Sequence, residues 1–321
     1  MKPRQLEFVT VDVFSQSTFG GNPLAVFFAA QQLSGDDMQR IAAEMNYSET
    51  TFVLPPDNPA NTAAIRIFTP TTELPFAGHP NVGTGFVLAS RPAAAPVDGL
   101  MQKVFKDGKR QCRMRFEEQA GLVEVLVDLN SADEPTTTTI AAPQPFQQYP
   151  GHGAWDIALA LGLAPEQLVA AEERTKIVSV GAEFVVLEVN DRQALAACQV
   201  QMEGFRQLSA QSTGSEDGTL VYVYCRDARA RGSHSFCARM FGPLHGIAED
   251  PATGSAAGAL ASMLAVEENL EGTGRYEFIQ GEEMSRPSRI TVDLTCQNGQ
   301  IFKTQISGEC VEVIQGTFTL S

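Results

Sequence analysis

Residues 249–256 read Glu249-Asp250-Pro251-Ala252-Thr253-Gly254-Ser255-Ala256, and a related pattern occurs earlier as Glu73-Leu74-Pro75-Phe76-Ala77-Gly78-His79. The two copies are 176 residues apart (249 minus 73). Each copy leads from an acidic residue through a proline-containing turn to a glycine, and then into a segment rich in alanine and glycine. That last segment predicts a buried helix. An internal repeat of this kind indicates that one structural unit occurs twice in the chain.

A second pair of matching segments lies just upstream of the first. Arg66-Ile67-Phe68-Thr69-Pro70 recurs as Arg239-Met240-Phe241-Gly242-Pro243, 173 residues later (239 minus 66), so the second copy has a slightly longer turn. A strand, a proline-rich turn, a glycine and a helix therefore follow one another twice. We expect two similar lobes that face each other across a cleft, with both glycine turns pointing into it.

The length of 321 residues is also sufficient for two domains. The segment 130–150 is rich in Thr, Pro, Gln and Ala, and we interpret it as a linker. This predicts an N-terminal lobe over residues 1–130 and a C-terminal lobe over 131–321, with the last strand pairing back onto the first lobe. Strands dominate the pattern, with helices expected over 35–46, 81–89 and 154–161, the first starting at a Ser34/Asp37 capping box.

Composition excludes several classes of partner. The chain has 38 acidic and 23 basic residues, a formal net charge of -15, and its basic residues are not clustered. Nucleic acids and anionic membrane surfaces are therefore not expected as partners. The longest apolar stretch, Ala256 to Val266, is too short for a bilayer-spanning helix of about 20 residues. Since the N-terminus lacks the features of a secretory signal, we expect a cytoplasmic protein.

The histidines and cysteines show no metal-binding or redox motif. The four histidines have no paired ligand spacing, and the six cysteines include no C-x-x-C pair. The glycine motifs also lack the Lys-Ser/Thr of a P-loop and the third glycine of a dinucleotide fingerprint. We therefore expect no metal and no cofactor.

The repeated glycines, Gly78 and Gly254, precede predicted helices. A glycine at this position leaves backbone N–H groups uncovered at the positive end of the helix dipole, which suits a carboxylate or a developing enolate. One such turn could serve only as a tight connection between strand and helix. Its duplication favours binding of a small carboxylate by Gly78, Gly254 and Ser255.

The two copies differ in their titratable residues. Asp250 is opposite Leu74, and Ser255 is opposite His79. Glu49 follows the first predicted helix and precedes an apolar run, which places it at the mouth of a turn rather than on a solvated helix face. A half-desolvated carboxyl group at such a place can have its pKa raised toward neutrality, as a general acid/base requires.

Five segments, given at the end of this paragraph, resemble the PhzF-like isomerases of the phenazine biosynthesis family, which are relatives of diaminopimelate epimerase. The resemblance covers nearly the whole chain, in order. It implies an α+β, diaminopimelate epimerase-like fold in which each lobe is a curled, mostly antiparallel sheet around a central helix, with the active site in the cleft, and a homodimer. The segments are Val11 to Phe14 with Gly21-Asn22-Pro23, Tyr47 to Thr50, Arg66 to Pro70, Ala77 to Pro80 and Glu249 to Ala256.

The resemblance also implies roles for individual residues. Glu49 corresponds to the acid that moves a proton between carbons, while His79 and Asp250 correspond to residues that flank the substrate. Diaminopimelate epimerases have one cysteine at each glycine turn, where this chain has His79 and Ser255, and no cysteine is nearer than Cys237. A two-thiol racemase is therefore disfavoured.

The predicted function is cofactor-independent isomerisation of a small carboxylic acid, with Glu49, His79 and Asp250 as catalytic residues. Two alternatives remain open. The same scaffold could carry out epimerisation or another proton transfer, or the chain could bind a small acid without catalysis.

Overall fold

The computed structural model describes residues 4–96, 102–106, 108–169, 175–211, 219–227 and 234–320. It divides into two compact units: Met1–Pro143 together with Ser307–Ser321, termed the N unit, and Gln144–Ile306, termed the C unit. The predicted lobe boundary after residue 130 lies inside the N unit.

The N unit is a closed sheet around one helix. Its strands are β1 (Arg4–Val13), β2 (Asn22–Phe27), β3 (Glu49–Leu54), β4 (Ala63–Phe68), β5 (Glu73–Leu74), β6 (Gln102–Lys106), β7 (Lys109–Glu118), β8 (Gly121–Leu129), β9 (Pro135–Ala141) and the second part of β18 (Gln300–Leu320). Its α-helices are α1 (Gly35–Met45) and α2 (Gly78–Ser90).

Pairing runs in the order β18, β1, β2, β3, β4, β7, β8, β9, and β9 pairs in turn with β18, so the sheet closes on itself. The β2–β3 and β4–β7 pairs are parallel, whereas the other pairs with a defined register are antiparallel. Helix α2 is buried almost throughout and packs against β1, β2, β3, β8 and β9. A helix that is apolar on all sides needs this kind of enclosure.

The prediction that segment 130–150 is a linker is wrong, because the segment contains β9 and β10 (Gln147–Pro150). β-branched threonines fit a pleated strand. In β9, Thr138 is fully buried, and Thr139 Oγ1 lies 2.8 Å from Ser307 Oγ of β18. The threonine run is therefore part of the sheet that encloses α2.

The C unit repeats the scheme. Its further strands are β11 (Lys176–Ser179), β12 (Glu183–Glu188), β13 (Val221–Arg226), β14 (Ser235–Gly242), β15 (Ile247–Asp250), β16 (Gly272–Gln280) and β17 (Ser288–Gln297). Its α-helices are α3 (Ala154–Ala160), α4 (Arg192–Ala197), α5 (Met202–Gln211) and α6 (Gly254–Glu267).

Strand pairing shows that the sequence repeat is a structural repeat. The sheet of the C unit runs β10, β11, β12, β13, β14, β16, β17, with β15 on β14. Its parallel pairs are β12–β13 and β14–β16, in the places that β2–β3 and β4–β7 occupy in the N unit. Helix α6, buried over most of its length, packs against β11, β12, β16 and β17 as the counterpart of α2.

Within the described part of the chain, no helix combines the length and apolar character that crossing a bilayer would require.

Candidate active site

Each glycine turn follows a hairpin held by the same arginine–glutamate pair. In the N unit, Nε and Nη2 of Arg66 each lie 2.6 Å from a carboxylate oxygen of Glu73. In the C unit, Nε and Nη2 of Arg239 each lie 2.8 Å from an oxygen of Glu249. Each guanidinium also lies over the phenylalanine two residues further on, 5.0 and 4.8 Å from the ring centroid. Bidentate ion pairs of this kind fix the relative position of the two side chains, so both turns start from the same rigid frame.

The predicted substrate-binding glycines begin the two enclosed helices. Gly78 is the first residue of α2, and Gly254 is the first residue of α6. The side chains of the preceding residues, Ala77 and Thr253, accept no capping hydrogen bond from either helix. The N-terminal N–H groups therefore lack the usual side-chain acceptor. Ser255, half-buried, is the second residue of α6.

Glu49 and His79 lie together in the N unit. Glu49 is the first residue of β3, which runs parallel to β2, and His79 is the second residue of α2. Nε2 of His79 is 3.2 Å from Oε2 of Glu49, and the two side chains are only 6% and 12% exposed. The contact is short but falls outside good hydrogen-bond geometry. Two of the three predicted catalytic side chains thus face each other in a site with little water.

Asn22 holds the other side of the His79 ring. Its Nδ2 lies 3.3 Å from Nδ1 of His79. Gly21 makes this position possible: its φ is 63°, and a Cβ atom there would lie 2.3 Å from the carbonyl oxygen of Val13. An amide N–H can only donate, so with Asn22 in this orientation Nδ1 accepts and the neutral ring carries its proton on Nε2, facing Glu49.

The protonation state of His79 follows from its burial. Burial lowers the pKa of His79 from 6.5 to about 3, because the charged imidazolium cannot be hydrated there. The short distance to Glu49 alone would suggest an ion pair. An imidazolium needs acceptors at both nitrogens, however, and Asn22 presents a donor to one of them. His79 is therefore a neutral hydrogen-bonding group at physiological pH.

Asp250 lies in a buried hydrogen-bond network in the C unit. Oγ1 of Thr253 donates to Oδ2 of Asp250 at 2.5 Å, and Nε2 of Gln280 donates to the Asp250 carbonyl at 2.8 Å and to Thr253 Oγ1 at 3.0 Å. Oε1 of Gln280 accepts from the Thr253 N–H at 3.1 Å and from the Tyr222 hydroxyl at 3.3 Å. Burial and the nearby Asp250 raise the pKa of Tyr222, so the hydroxyl stays a donor.

The structure thus places Glu49, His79 and Gly78 together in one unit, and Asp250, Gly254 and Ser255 together in the other. Among the described residues, no group of three or more His, Cys, Asp or Glu side chains is arranged to hold a metal ion.

Sequence reasoning missed the residues that orient these groups. Asn22 lies in the Gly-Asn-Pro segment, which had contributed only to the family resemblance. Thr253 lies inside the repeated motif, where the contrast with Ala77 indicated a difference between the copies. Gln280 and Tyr222 are on other strands, and no local pattern marks them.

The fold is shared with solved structures of two kinds. A Bacillus anthracis phenazine biosynthesis protein of the PhzF family superposes with a TM-score of 0.80 at 23% identity, covering 99% of both chains. A hydroxyproline epimerase from Agrobacterium vitis superposes with a TM-score of 0.61 at 12% identity, covering 99% of this chain and 93% of the other. The fold class is therefore α+β of the PhzF and proline racemase type, as the resemblance implied.

Comparisons of the amino-acid sequence identify the family within this fold class. The family described as phenazine biosynthesis-like protein matches residues 11–316. A trans-2,3-dihydro-3-hydroxyanthranilate isomerase of Pseudomonas chlororaphis is 33% identical over 98% of this chain and 99% of its own length, and an uncharacterized isomerase of Mesorhizobium japonicum is 36% identical over 96% and 97%. The chain belongs to the PhzF family, and it is an isomerase.

Proposed function

We propose that the protein moves a proton between two carbons of a small unsaturated carboxylic acid, with Glu49 as the general acid/base and without metal or cofactor. The observation that carries the proposal is the Glu49–His79 contact, in which a carboxylate and a neutral imidazole are 3.2 Å apart in a site with little water. Relatives at 33% identity, named for isomerisation of trans-2,3-dihydro-3-hydroxyanthranilate, support a cyclic acid as substrate class.

Glu49 carries out both halves of the reaction. Its carboxylate removes a proton from a saturated carbon next to a double bond, and the electron pair of the C–H bond enters the conjugated system. A proton then returns from Glu49 to a different carbon as the double bond shifts, so that substrate and product have the same composition and the enzyme ends unchanged. A single carboxyl group in a site with little water suits this because it can accept the proton at one carbon and deliver a proton at another.

His79 supports Glu49 as a neutral group. With Asn22 donating to Nδ1, the Nε2–H is directed toward the Glu49 carboxylate. A neutral donor orients the carboxylate without the strong drop in basicity that an adjacent full positive charge would cause. At neutral pH His79 does not act as an imidazolium acid, since its pKa is about 3.

The glycine turns are proposed to bind the carboxylate group or the charge that develops during the reaction. Backbone N–H groups at a helix N-terminus stabilise negative charge without having to reorganise. Gly78 provides such a group beside His79, and Gly254 and Ser255 provide them in the C unit. Asp250, oriented by Thr253 and Gln280, is proposed to contact a polar group of a substrate, the role that the family resemblance implies for it.

The proposal is tested by NMR of small cyclic and amino carboxylic acids incubated in heavy water with the parent protein and with Glu49→Gln. Deuterium incorporation or isomer conversion with the parent protein, but not with Glu49→Gln, is expected. Glu44→Gln is a matched control, because Glu44 is exposed on the neighbouring helix α1. Unchanged turnover of a genuine substrate by Glu49→Gln would refute the assignment of the base. A protein that binds an acid but exchanges no proton would be the non-catalytic alternative.

Homodimerisation remains a prediction from the resemblance, checked by light scattering.

A further inference from the structure

Glu118 is an acid near the N-terminal glycine turn that the proposed reaction does not use. It is the last residue of β7, opposite Gly121 of β8. The hairpin loop that follows it is tied to the turn, since the N–H of Ala120 donates to the carbonyl of Pro75 at 3.0 Å. The residue is half-buried as a whole, but both of its carboxylate oxygens are closed off from solvent.

Asn81 connects Glu118 to the first turn of α2. The Asn81 side chain is fully buried, and its Nδ2 donates to the carbonyl of Ala77 at 3.0 Å. It is also the side chain that interacts with the Glu118 carboxyl group, although not in good hydrogen-bond geometry. Three buried oxygens, Oδ1 of Asn81 and both carboxylate oxygens of Glu118, have no well-aligned donor.

These three oxygens can only accept hydrogen bonds while Glu118 is ionised, and a proton on Glu118 would supply a further donor. A buried ionised carboxylate without a charged partner is costly, whereas a protonated carboxyl group can donate a hydrogen bond. In the described part of the chain, Glu118 forms no ion pair. Several charged groups on the elements around it are engaged with other partners: Glu73 with Arg66, Glu49 with His79, Glu117 with Asn61, and Arg115 with Glu124. Arg113, five residues before Glu118 in β7, belongs to the opposite face of the strand.

We propose that Glu118 keeps its proton at neutral pH and acts as a positioning residue, which holds Asn81 and through it the Ala77–Gly78 turn in the form that binds the substrate carboxylate. This role rests on the proposed function. Burial raises the pKa of Glu118 from 4.5 to about 8, against a smaller opposing contribution from Asn81, in agreement with a protonated group.

Ionisation of Glu118 has a specific consequence for binding. Above about pH 8, a negative charge would develop next to backbone N–H groups that are proposed to bind an anion. Substrate affinity would fall, while the Glu49 proton transfer would be affected less. The expected signature is an alkaline rise in KM with a nearly constant kcat.

The kinetic test compares the pH profiles of the parent protein, Glu118→Gln, Glu118→Ala and Glu124→Gln. Glutamine resembles the protonated carboxyl group, so Glu118→Gln should stay within about threefold of the parent at pH 7 and lack the rise in KM that the parent shows, about tenfold by pH 9.5. Glu118→Ala should have a raised KM at every pH. Glu124→Gln, on the exposed face of β8, should match the parent throughout. The same alkaline rise in Glu118→Gln and in the parent would overturn the proposal.

A second test does not depend on activity, and so separates this proposal from the proposed function. In protein labelled with carbon-13 at the glutamate side-chain carboxyl carbons, the resonance that is absent from Glu118→Gln should titrate near pH 8, and the amide resonances of Gly78 and His79 should shift with the same midpoint. A midpoint near 4.5, or Gly78 and His79 amides that do not follow the titration, would overturn the proposal even if the isomerase activity were demonstrated.

Discussion

The glycine turns of the two units have the same frame but treat their acids differently. In both turns, an arginine forms an ion pair with a glutamate and stacks on a phenylalanine, and the turn is followed by a helix without a side-chain cap. In the C unit, Asp250 is fixed by Thr253, and Gln280 binds to both residues. In the N unit, Glu49 contacts a neutral His79.

This difference teaches which acid is suited to move a proton. A carboxylate that accepts a short hydrogen bond from a fixed hydroxyl is stabilised as the anion and held in place. A carboxylate next to a neutral imidazole in a site with little water is less strongly stabilised, so it can take up and return a proton. Under the proposed function, the two units keep the same frame and have different roles, with proton transfer by Glu49 in the N unit and a fixed polar contact by Asp250 in the C unit.

The largest expected effect is on turnover. Glu49→Gln should lower kcat by about 10²–10⁴-fold, the usual contribution of general acid/base catalysis. Asp250→Asn should lower kcat by only about tenfold, because the amide oxygen of the asparagine can still accept the hydrogen bond from the Thr253 hydroxyl. Steady-state kinetics of the two variants on the same acid provide the measurement. If Asp250→Asn were the more damaging change, the proton-transfer role would belong to the C unit.

The two arginines should differ in their effect on stability. The Arg239 side chain is 8% exposed and also donates from Nη1 to the carbonyls of Leu195 and Cys198, so Arg239→Ala should lower the free energy of unfolding by about 3–5 kcal/mol. Arg66 is 33% exposed, and Arg66→Ala should cost about 1 kcal/mol.

Urea unfolding followed by circular dichroism checks both arginine variants. The fluorescence of Trp155, the single tryptophan, reports on the C unit and should show the Arg239→Ala loss but not the Arg66→Ala loss. Equal losses of unfolding free energy in the two variants would mean that the two arginine–glutamate pairs contribute equally to stability.

Removal of the amide side chain that orients each site should likewise lower the free energy of unfolding more in the C unit than in the N unit. Gln280→Ala removes four hydrogen bonds and leaves buried groups of Thr253 and Tyr222 with fewer partners, so a loss of about 2–4 kcal/mol is expected. Asn22→Ala should cost about 1–2 kcal/mol. Thermal unfolding provides the measurement, with Gln297→Ala, at the exposed end of β17, as a control within about 0.5 kcal/mol of the parent. A larger loss from Asn22→Ala would reverse the ranking.

The last expected effect is a pH dependence of stability that originates in the N unit. The pKa of His79 is lowered to about 3, while the unfolded chain takes up this proton near pH 6.5, so the unfolded state binds more protons between these values. The stabilisation is fully present above pH 6.5 and is lost as the pH falls toward 3, by at most about 1.4 kcal/mol per pH unit.

Unfolding at several pH values between 4 and 7 tests this slope. His79→Gln should remove it, whereas His245→Gln, at an exposed position, should keep it. The same slope in His79→Gln and in the parent would mean that another group is responsible.

Local patterns predicted much of the fold. The Ser34/Asp37 capping box is present, with Asp37 N–H donating to Ser34 Oγ at 3.1 Å, and it starts α1 at Gly35. Helix α5 was missed because Gly204 interrupts its pattern. That glycine is required by packing, since a Cβ atom there would lie 2.5 Å from Cα of Ala160 in α3. Tertiary packing here overrides a poor helix propensity.

The candidate site was predictable only where the repeat or the resemblance marked it. Glu49 and His79 are 30 residues apart in sequence, and only the enclosure of α2 by a sheet containing β3 brings them together. Gln280 is equally far from Asp250 and reaches it from β16. Glu118 becomes notable only through the burial of its oxygens. Partnerships between different elements and degrees of desolvation are properties of the folded chain, and one sequence does not display them.

Strand β18 imposes an order on folding. Its residues 310–320 pair with β1, so the first residues and the last residues of the described chain are neighbours in one sheet. On the ribosome, the N unit begins to form first but cannot close around α2 until residues 307–320 have been synthesised. The C unit can collapse in the meantime, and until the N unit closes, the free edge of β1 is open to pairing with other chains.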